Sequence, residues 1–408
     1  MKRVSIISTG SELVYGRVQD SNAAFISACL FPTAFTVVSH HAVGDVVEDL
    51  RRTINTALCE ADIVIMSGGL GPTDDDRTME VVGAHCGVKS TVNEPALRRV
   101  EFFFNSMGRE MLPGDVKMVT VPAGSIVFEN ETGLAPGFAI DYRGKILVAM
   151  PGVPHELRPM FEKRVMPHLH LLYPGSGRDS LTLRVVLMRE AEVNDQIKKM
   201  ALPFDSIDWG ITTSPGMNTV GFVSRAEDPL PKDLIIAEAK RTFGNKMLAL
   251  SSKNIEEDMV RLLEASGISA ATAESCTGGL IAQRITDVPG SSRVFKGGVV
   301  AYSNEAKRNL LDVSAEVLDT YGAVSEETAL EMAHGALRRF AADMAVAVTG
   351  IAGPGGGTEA KPVGTVCFAI ATVGTAKTFT RNITGDRERV RQFSSQYALD
   401  GIRRGILS

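Results

Sequence analysis

The feature that most restricts the fold of this chain is an apolar run that leads directly into a glycine-containing turn and a helical pattern. Residues 268–273 predict a buried strand, residues 274–279 a polar turn, and residues 280–285 a helix. The turn places Ser275 before a helix N-terminus, whose free N–H groups can stabilise an oxyanion. A serine in this position is also a common N-cap, so a nucleophile and a simple cap are both open interpretations here.

Two later segments have the same strand-to-turn character. Residues 299–302 predict a strand end, Ser303 is a candidate helix cap, and Lys307 follows in the helix. A lysine shielded from water beside a serine can act as a general base, although a single lysine is more commonly a surface residue. Residues 345–348 predict a buried strand that enters a glycine-rich loop. Such loops often bind phosphate, but neither dinucleotide-binding nor P-loop spacing is present.

The segments AESCTGG, AYSNEAK, VTGIAGPGGG, KPVGTV and GDRERVR, in this order, resemble the C-terminal domain of the CinA family. That domain is similar to the stand-alone nicotinamide mononucleotide deamidase, and the match covers residues 253–408. The resemblance implies that Ser275 is the nucleophile and that Tyr302 and Lys307 complete the catalytic group. It also implies a substrate site at these motif positions, formed by Glu274, Thr277, Gly278, Thr349, Gly350 and Arg389.

The implied reaction is hydrolysis of the carboxamide of nicotinamide mononucleotide to nicotinate mononucleotide and ammonia, without a cofactor. Ser275 attacks, Lys307 takes its proton, Tyr302 relays or orients, and water then resolves the acyl-enzyme. Arg389, near the start of the last helix, would hold the nucleotide phosphate. Cys276 is the rival nucleophile, because thiolates are intrinsically more reactive, but a small apolar residue just inside a helix more often belongs to the core.

Length and composition bound the organisation of the chain. At 408 residues it is long enough for two or three domains, and a hydrophobic fraction of 44% supplies a core for each. The net charge of −5 argues against a general nucleic-acid-binding protein. The five cysteines show neither CxxC nor metal-ligand spacing, which is typical of the reducing cytosol. We therefore expect a cytoplasmic protein, since no signal peptide or long apolar segment is recognisable.

The first part of the chain alternates strand-like and helix-like patterns. Strands are predicted at residues 4–8, 37–40 and 63–66, and helices at residues 22–30 and 46–59. This alternation predicts an α/β fold with a mainly parallel sheet and helices on both faces. In such sheets, ligands bind at the carboxyl ends of the strands.

Two polar, turn-rich segments follow predicted strands in this region, at residues 9–16 and 67–78. The second combines glycines with three consecutive aspartates at 74–76. Glycines beside carboxylates suggest phosphate and a divalent cation, because magnesium often bridges carboxylates to substrate phosphates. Acidic residues are also common at helix N-termini, where the helix dipole favours them, and that alternative stays open.

The segments GSELVYGRVQDSN, SGGLGPTDDDRT, NETGLAPG and MPGVPHEL resemble the N-terminal domain of the CinA family, over residues 1–170. That domain is similar to the molybdopterin-binding proteins of molybdenum cofactor synthesis, and in some family members it hydrolyses ADP-ribose with a divalent metal. Where the family usually has Asp in its first loop, this chain has Ser11. The resemblance implies a nucleotide site formed by Asp20, Asn22, Gly69, Gly71, Thr73, Asp75 and Asp76, with Asp75 and Asp76 as candidate metal ligands.

Residues 171–250 predict a smaller α+β module, which looks like the module between the two catalytic domains of CinA proteins. Its predicted elements are strands at 181–188 and 219–224 and helices at 190–200 and 229–243. It carries no recognisable chemistry and is expected to space or join subunits. Residues 251–254 are the predicted linker into the last domain, which is expected to be a second α/β/α layer structure.

Three hypotheses of different classes follow from the sequence. The first is a deamidase of nicotinamide mononucleotide, with a second, metal-dependent ADP-ribose pyrophosphatase site in the N-terminal domain. The second is a molybdopterin-binding module, and the third is a competence-related interaction protein. We expect a homodimer that takes small nucleotide substrates and binds neither nucleic acid nor membrane.

Overall fold

The computed structural model describes residues 1–31, 33–175, 177–224 and 229–407. It divides the chain into two compact units, Met1–Asp179 and Ser180–Ser408. Within the described ranges, no helix combines the length and the apolar character that a bilayer crossing requires.

The first unit alternates strands and helices, as its sequence predicts. Its strands are β1 (Lys2–Thr9), β2 (Phe35–Val43), β3 (Ile63–Ser67), β4 (Ser90–Val92), β5 (Thr120–Pro122), β6 (Ile126–Phe128), β7 (Gly137–Tyr142) and β8 (Lys145–Met150). Its helices are α1 (Ser11–Val14), α2 (Ser21–Leu30), α3 (Val47–Glu60), α4 (Thr78–Cys86), α5 (Glu94–Ser106), α6 (Pro113–Met118), α7 (Pro154–Met160) and α8 (Met166–Leu172). A π-helical turn over Phe161–Val165 joins the last two helices.

A six-stranded sheet in the order β2-β1-β3-β8-β7-β6 forms the centre of this unit. The four strands from β2 to β8 run parallel, and β7 is antiparallel to both of its neighbours. Helices α2, α7 and α8 pack on one face around Ile6 and Phe161, and α3 and α4 pack on the other around Ile7 and Leu50. This arrangement confirms the predicted mainly parallel sheet between two helical layers.

The second unit begins with the small α+β module. Its elements are β9 (Ser180–Val186), α9 (Glu190–Lys198), β10 (Ile207–Ser214), β11 (Met217–Ser224) and α10 (Lys232–Phe243). The strands form an antiparallel sheet in the order β10-β11-β9. Strand β10 is absent from the sequence prediction, because its sequence IDWGITTS contains a glycine and exposed polar residues, as an edge strand can tolerate.

The rest of the second unit carries the other α/β sheet. Its helices are α11 (Ile255–Ser266), α12 (Leu280–Thr286), α13 (Asn304–Leu311), α14 (Ala315–Tyr321), α15 (Glu326–Phe340) and α16 (Arg387–Leu407). Its strands are β12 (Ala270–Glu274), β13 (Phe295–Val300), β14 (Met344–Gly350), β15 (Thr365–Thr372) and β16 (Ala376–Asn382), in the order β13-β12-β14-β15-β16. Strands β13, β12 and β14 are parallel, whereas β15 is antiparallel to β14 and β16.

Helices cover both faces of this second sheet. The core on one face includes Ala329 and Met332 of α15, and the core on the other includes Met259, Ile281 and Leu399 of α11, α12 and α16. The predicted α/β/α layering of the C-terminal region is therefore confirmed.

The three domains predicted from the sequence stay a prediction, because a compact unit can contain more than one domain. The small module and the last domain belong to one unit, and the division from the first unit falls after Asp179 rather than after residue 170. Within the predicted linker at 251–254, Ser252 is fully buried. Its hydroxyl donates to Asp258 (2.9 Å), and its carbonyl accepts from Arg184 (3.3 Å).

Helix α16 joins the small module to the last sheet. Gly216, at the β10–β11 turn, has φ +74°, and a Cβ there would lie 2.5 Å from Cγ of Gln396. The Gln396 amide donates to the Gly216 carbonyl (3.3 Å) and accepts from Arg284 of α12 (2.8 Å). Further along α16, the fully buried Arg403 donates to the carbonyl of Asn245. The module therefore fixes the position of α16 at two points.

Candidate active site

Strands β12 and β14 end side by side in the second unit, and Ser275 follows β12 directly. The Ser275 backbone N–H donates to the carbonyl of Val348 (2.9 Å), which extends the strand pairing by one residue. The serine is buried, with 7% of its surface exposed. It does not cap a helix, because α12 begins at Leu280 and its N-cap position is Gly279. The N-cap interpretation of Ser275 is therefore wrong.

The buried carboxylate of Glu274 caps helix α12 in its place. It accepts hydrogen bonds from the backbone N–H groups of Gly279 (3.0 Å), Ile281 (3.0 Å) and Ala282 (2.8 Å). The expectation that the N-terminus of this helix stabilises an oxyanion is therefore wrong, because a carboxylate already occupies it. Glu274 positions the helix and is too buried, at 1% exposure, to line a substrate site.

The turn itself retains backbone N–H groups that bond to no protein oxygen. Within the part of the chain that the structure describes, the N–H groups of Cys276 and Thr277 have no oxygen acceptor. The hydroxyl of Thr277 is also buried without a partner. These groups lie next to Ser275 in the chain, so they replace the helix N-terminus as candidate oxyanion donors.

Lys307 is buried against the serine. Ser303 caps α13 through the N–H of Ala306 (3.0 Å), as predicted, and the first turn of this helix carries Lys307 inward. Lys307 is only 1% exposed, and its Nζ lies 3.0 Å from Oγ of Ser275. The surface-lysine interpretation is therefore wrong.

The surroundings of Lys307 favour its neutral form. Removal from water lowers the pKa of its amine, because burial disfavours the charged state. The Nζ also lies 3.1 Å from the carbonyl oxygen of Ala301 and 3.5 Å from that of Tyr302. Two N–H bonds directed at these carbonyls leave the third position of the nitrogen facing Ser275. A neutral amine in this orientation presents its lone pair to the serine hydroxyl.

Cys276, the rival nucleophile, is part of the hydrophobic core. It is 4% exposed and packs with the cluster that includes Ile281 and Val348. Burial raises the pKa of its thiol to about 12, so the sulfur is protonated at neutral pH. This arrangement favours Ser275 over Cys276 as the attacking group.

The side chain of Tyr302 points away from the Ser275–Lys307 pair. It is 60% exposed, and its hydroxyl accepts a hydrogen bond from Arg387 (2.9 Å). Only its backbone carbonyl contacts Lys307. The structure therefore places the Tyr302 hydroxyl beside Arg387 and does not bring it to the serine or the lysine.

Arg389, the predicted phosphate ligand, does not contact the serine turn. Its Nε donates to the carbonyl of Thr384 (3.1 Å), and its guanidinium lies 4.6 Å from the ring centroid of Phe393. Arg387 and Arg391 contact the site instead. Arg387 donates to the carbonyl of Gly353 (2.9 Å), and Arg391 donates to the carbonyl of Thr277 (2.8 Å).

Helix geometry explains why Arg387 and Arg391, rather than the predicted Arg389, contact the serine turn and its neighbouring loop. Residues 387 and 391 are one helical turn apart and share a face of α16, which begins at Arg387. Residue 389 lies about 200° around the helix from residue 387. Once the helix start is placed, this spacing is the signal that identifies the two arginines.

The remaining predicted substrate residues hold loops in place. Gly278 has φ +60°, a conformation that favours glycine. The Thr349 hydroxyl donates to the carbonyl of Ala323 (2.6 Å), and a side chain at Gly350 would meet Val366 of β15. Of these three residues, only Thr349 has a side chain, and its hydroxyl contacts a protein carbonyl.

A second candidate site lies in the first unit, in a cleft of about 720 Å³ next to the carboxyl ends of β1, β3 and β8. All seven residues that the sequence assigned to a nucleotide site line this cleft, namely Asp20, Asn22, Gly69, Gly71, Thr73, Asp75 and Asp76. The residues that the sequence assigns to one site therefore lie close together in the structure, at the strand ends where such sheets bind ligands.

Several of these residues have structural roles within the cleft. Asp20 caps α2 by accepting from Asn22 (3.1 Å) and Ala23 (3.0 Å). Oδ2 of Asp76 accepts from the N–H (3.0 Å) and the hydroxyl (2.5 Å) of Thr73, which closes the loop between them. Gly69 and Gly71 have no room for a side chain, because a Cβ there would meet Thr78 and Asp76 respectively.

Two groups in the cleft are free to bind a ligand. Nδ2 of Asn22 donates to Ser67 (2.8 Å) and to the carbonyl of Gly152 (2.7 Å), which leaves its buried Oδ1 without a partner. Asp75 is exposed and lines the cleft. Among the residues that the structure describes, no three His, Cys, Asp or Glu side chains form a metal site. A magnesium ion here would therefore need oxygen ligands from a substrate as well as from Asp75 and Asp76.

Comparison with known proteins identifies the same two regions. Residues 5–171 match the family described as "Probable molybdopterin binding domain", and residues 252–406 match the family described as "CinA C-terminal domain". A competence-damage inducible protein of Caldicellulosiruptor saccharolyticus is 38% identical over 414 residues, which cover 99% of both chains. A CinA-like protein of Kosmotoga olearia is 36% identical over 409 residues and also covers 99% of both chains.

Among solved structures, the competence/damage inducible protein CihA from Agrobacterium tumefaciens is 44% identical. The match covers 40% of this chain and 100% of that chain, with a TM-score of 0.36. The two relatives match this chain over 99% of its length, and the two regions that match family descriptions contain the two α/β sheets. The chain therefore belongs to the CinA family.

Proposed function

We propose that the Ser275–Lys307 pair hydrolyses the carboxamide of nicotinamide mononucleotide to nicotinate mononucleotide and ammonia. The observation that carries this proposal is a buried lysine amine 3.0 Å from a buried serine hydroxyl. A serine is a weak nucleophile until a neighbouring base accepts its proton, and a lysine with a lowered pKa is such a base. The choice of substrate rests on the resemblance of the serine, lysine and arginine motifs to the family's deamidase domain.

The reaction divides into acylation and deacylation. Lys307 accepts the Ser275 proton while Oγ forms a bond to the carboxamide carbon. Collapse of the tetrahedral intermediate breaks the C–N bond, and Lys307 returns the proton to the leaving nitrogen, which departs as ammonia. Water then attacks the acyl-enzyme with Lys307 again as the base, and the serine is released with the nicotinate product.

Two further groups complete the proposed site. The backbone N–H groups of Cys276 and Thr277 would stabilise the negative oxygen of the tetrahedral intermediates. Arg387 and Arg391 would bind the phosphate of the nucleotide, because a guanidinium matches the geometry and charge of a phosphate group. Tyr302, held by Arg387, would cover the entrance.

The nucleophile is tested by a pair of substitutions at neighbouring positions. Ser275→Ala should lower the turnover of nicotinamide mononucleotide by roughly four orders of magnitude, because no acyl-enzyme can form. Cys276→Ala should change it by less than about fivefold, since the buried thiol contributes only packing. Ammonia release measures both. An inactive Cys276→Ala protein beside an active Ser275→Ala protein would show that the serine mechanism is wrong.

The role of Lys307 is tested by its pH dependence. The neutral amine is the active form, so kcat/KM should rise with pH through the Lys307 pKa and be lost as the pH falls below it. That pKa should lie below the ordinary lysine value. Lys307→Ala should be nearly as inactive as Ser275→Ala, and Lys307→Arg should not restore activity, because arginine stays protonated. Near-normal turnover by Lys307→Arg would instead make Lys307 an electrostatic residue.

The phosphate contacts are tested by three arginines of one helix. Arg387→Ala and Arg391→Ala should each raise KM for nicotinamide mononucleotide by about tenfold, as expected for loss of one charged hydrogen bond. The matched control, Arg389→Ala, should change KM little, because its side chain contacts Thr384 and Phe393. With nicotinamide riboside, which lacks the phosphate, all three variants should resemble the wild type. A larger effect at Arg389 than at Arg391 would contradict the assignment.

The cleft of the first unit supports a second candidate function, metal-dependent hydrolysis of ADP-ribose. The observation in its favour is the unpartnered, buried Oδ1 of Asn22, in a cleft that also presents the exposed Asp75. Asp75 and Asp76 would hold the metal together with substrate phosphates. Binding of a molybdopterin in the same cleft is the alternative, in line with the family description of residues 5–171.

This second activity is tested at adjacent aspartates. Asp75→Ala should abolish magnesium-dependent ADP-ribose hydrolysis, and Asp74→Ala should keep it, because Asp74 does not line the cleft. Deamidation should be unchanged in both variants, since Ser275 belongs to the other compact unit. AMP formation measured by chromatography gives the result. Equal loss of hydrolysis in the two variants would show that Asp75 has no specific role as a metal ligand.

A further inference from the structure

A cavity of about 650 Å³ in the second unit lies away from Ser275 and has no role in the proposed reaction. Met344, the first residue of β14, is one of its lining residues, whereas Ser275 lies beyond the other end of the parallel strands. The length of β14 separates these two ends by about 20 Å. The volume of the cavity falls in the range of small-molecule binding sites.

The edge strand β16 presents one alternating face to this cavity. Lys377, Phe379 and Arg381 are two residues apart and all line it. The opposite face of the strand carries Thr378 and Thr380, whose hydroxyls donate to Glu326 (2.6 and 2.7 Å). The positive charges of Lys377 and Arg381 on β16 therefore face the cavity rather than a carboxylate.

Positive charge on the cavity walls is not balanced by the protein. Lys246 and Arg404 also line the cavity, and Asp400 is the one acidic residue among the lining side chains. Asp400 already pairs with Arg404 (2.6 Å) and Arg403 (3.0 Å). In the described part of the chain, neither Lys377 nor Arg381 has an ion-pair partner. This concentration is unusual in a chain whose net charge is −5, and it favours a multiply charged anion.

Flat groups accompany the charges. The Arg381 guanidinium lies 4.9 Å from the ring centroid of Phe379 and 5.5 Å from that of Tyr397. Phe379 stacks in turn on the core residue Phe368, with ring centroids 4.8 Å apart, which fixes its orientation. A fixed stack of aromatic rings and a guanidinium offers a planar surface on which a ring of a ligand can pack.

We propose that this cavity binds a phosphorylated, ring-containing small molecule of the mononucleotide class, at a site separate from Ser275. Lys377, Lys246 and Arg404 receive the phosphate, and the Arg381–Phe379–Tyr397 group receives the ring. Helix α16 contributes Tyr397 and Arg404 to this cavity and Arg387 and Arg391 to the Ser275 site. The two sites therefore share one rigid element.

Calorimetric titration of the full chain with AMP, adenosine and inorganic phosphate tests the proposal. AMP should bind more tightly than either part alone. Lys377→Glu and Arg381→Ala should each weaken AMP binding at one site per chain by about tenfold or more, the loss of one charged contact. Lys240→Glu is the matched control, since Lys240 is an exposed residue of α10 outside the cavity, and it should bind AMP like the wild type.

The variants also separate this cavity from other nucleotide sites. AMP that bound only near Ser275 or in the cleft of the first unit would bind all three variants equally, and that result would overturn the proposal. The absence of AMP binding to the wild type would also overturn the proposal. Equal affinity for AMP and phosphate would overturn it too, because it would show that the ring contributes nothing to binding. Urea unfolding curves, followed by the fluorescence of the single tryptophan, Trp209, test whether the second unit of each variant is folded like that of the wild type.

Discussion

The contact between the Lys307 amine and the Ser275 hydroxyl is the interaction on which the proposed function of the second unit depends. A buried ammonium without a counter-ion is costly, and the amine avoids this cost by losing its proton more readily. The fold creates the contact in two steps. Strand β12 ends directly before the serine, and α13, capped by Ser303, begins four residues after the last residue of β13, the strand that pairs with β12. Capping of α12 by Glu274 leaves the serine turn outside the helix, with its own N–H groups free.

Helix α16 connects α12 and the small module to this site. Its first turn and a half supplies Arg387 and Arg391, and its middle contacts Arg284 of α12 through Gln396. The small module holds the same helix through Gly216 and Asn245. The module predicted to be a spacer therefore also supports the helix that carries the arginines, which explains why it belongs to the same compact unit.

Sequence reasoning reached the layers and the strand ends through hydrophobic periodicity, and the resemblance of the strand–helix junction motifs to the family implied the serine–lysine pair. It could not reach contacts that depend on tertiary placement. Glu274 looked like a substrate residue, yet three backbone donors from the next helix hold it. Arg389 has the right chemistry but faces Phe393, and Tyr302 lies near Lys307 in the chain while its hydroxyl contacts Arg387. Strand β10 was missed because edge strands tolerate polar and glycine residues.

Incubation of the purified full chain with nicotinamide mononucleotide, followed by rapid quenching and mass analysis of the peptide that carries Ser275, tests the central claim most directly. We expect one ammonia per nicotinate mononucleotide formed and a transient nicotinate mononucleotide acyl group on Ser275. A folded protein that releases no ammonia, or an acyl group attached to Cys276, would contradict it.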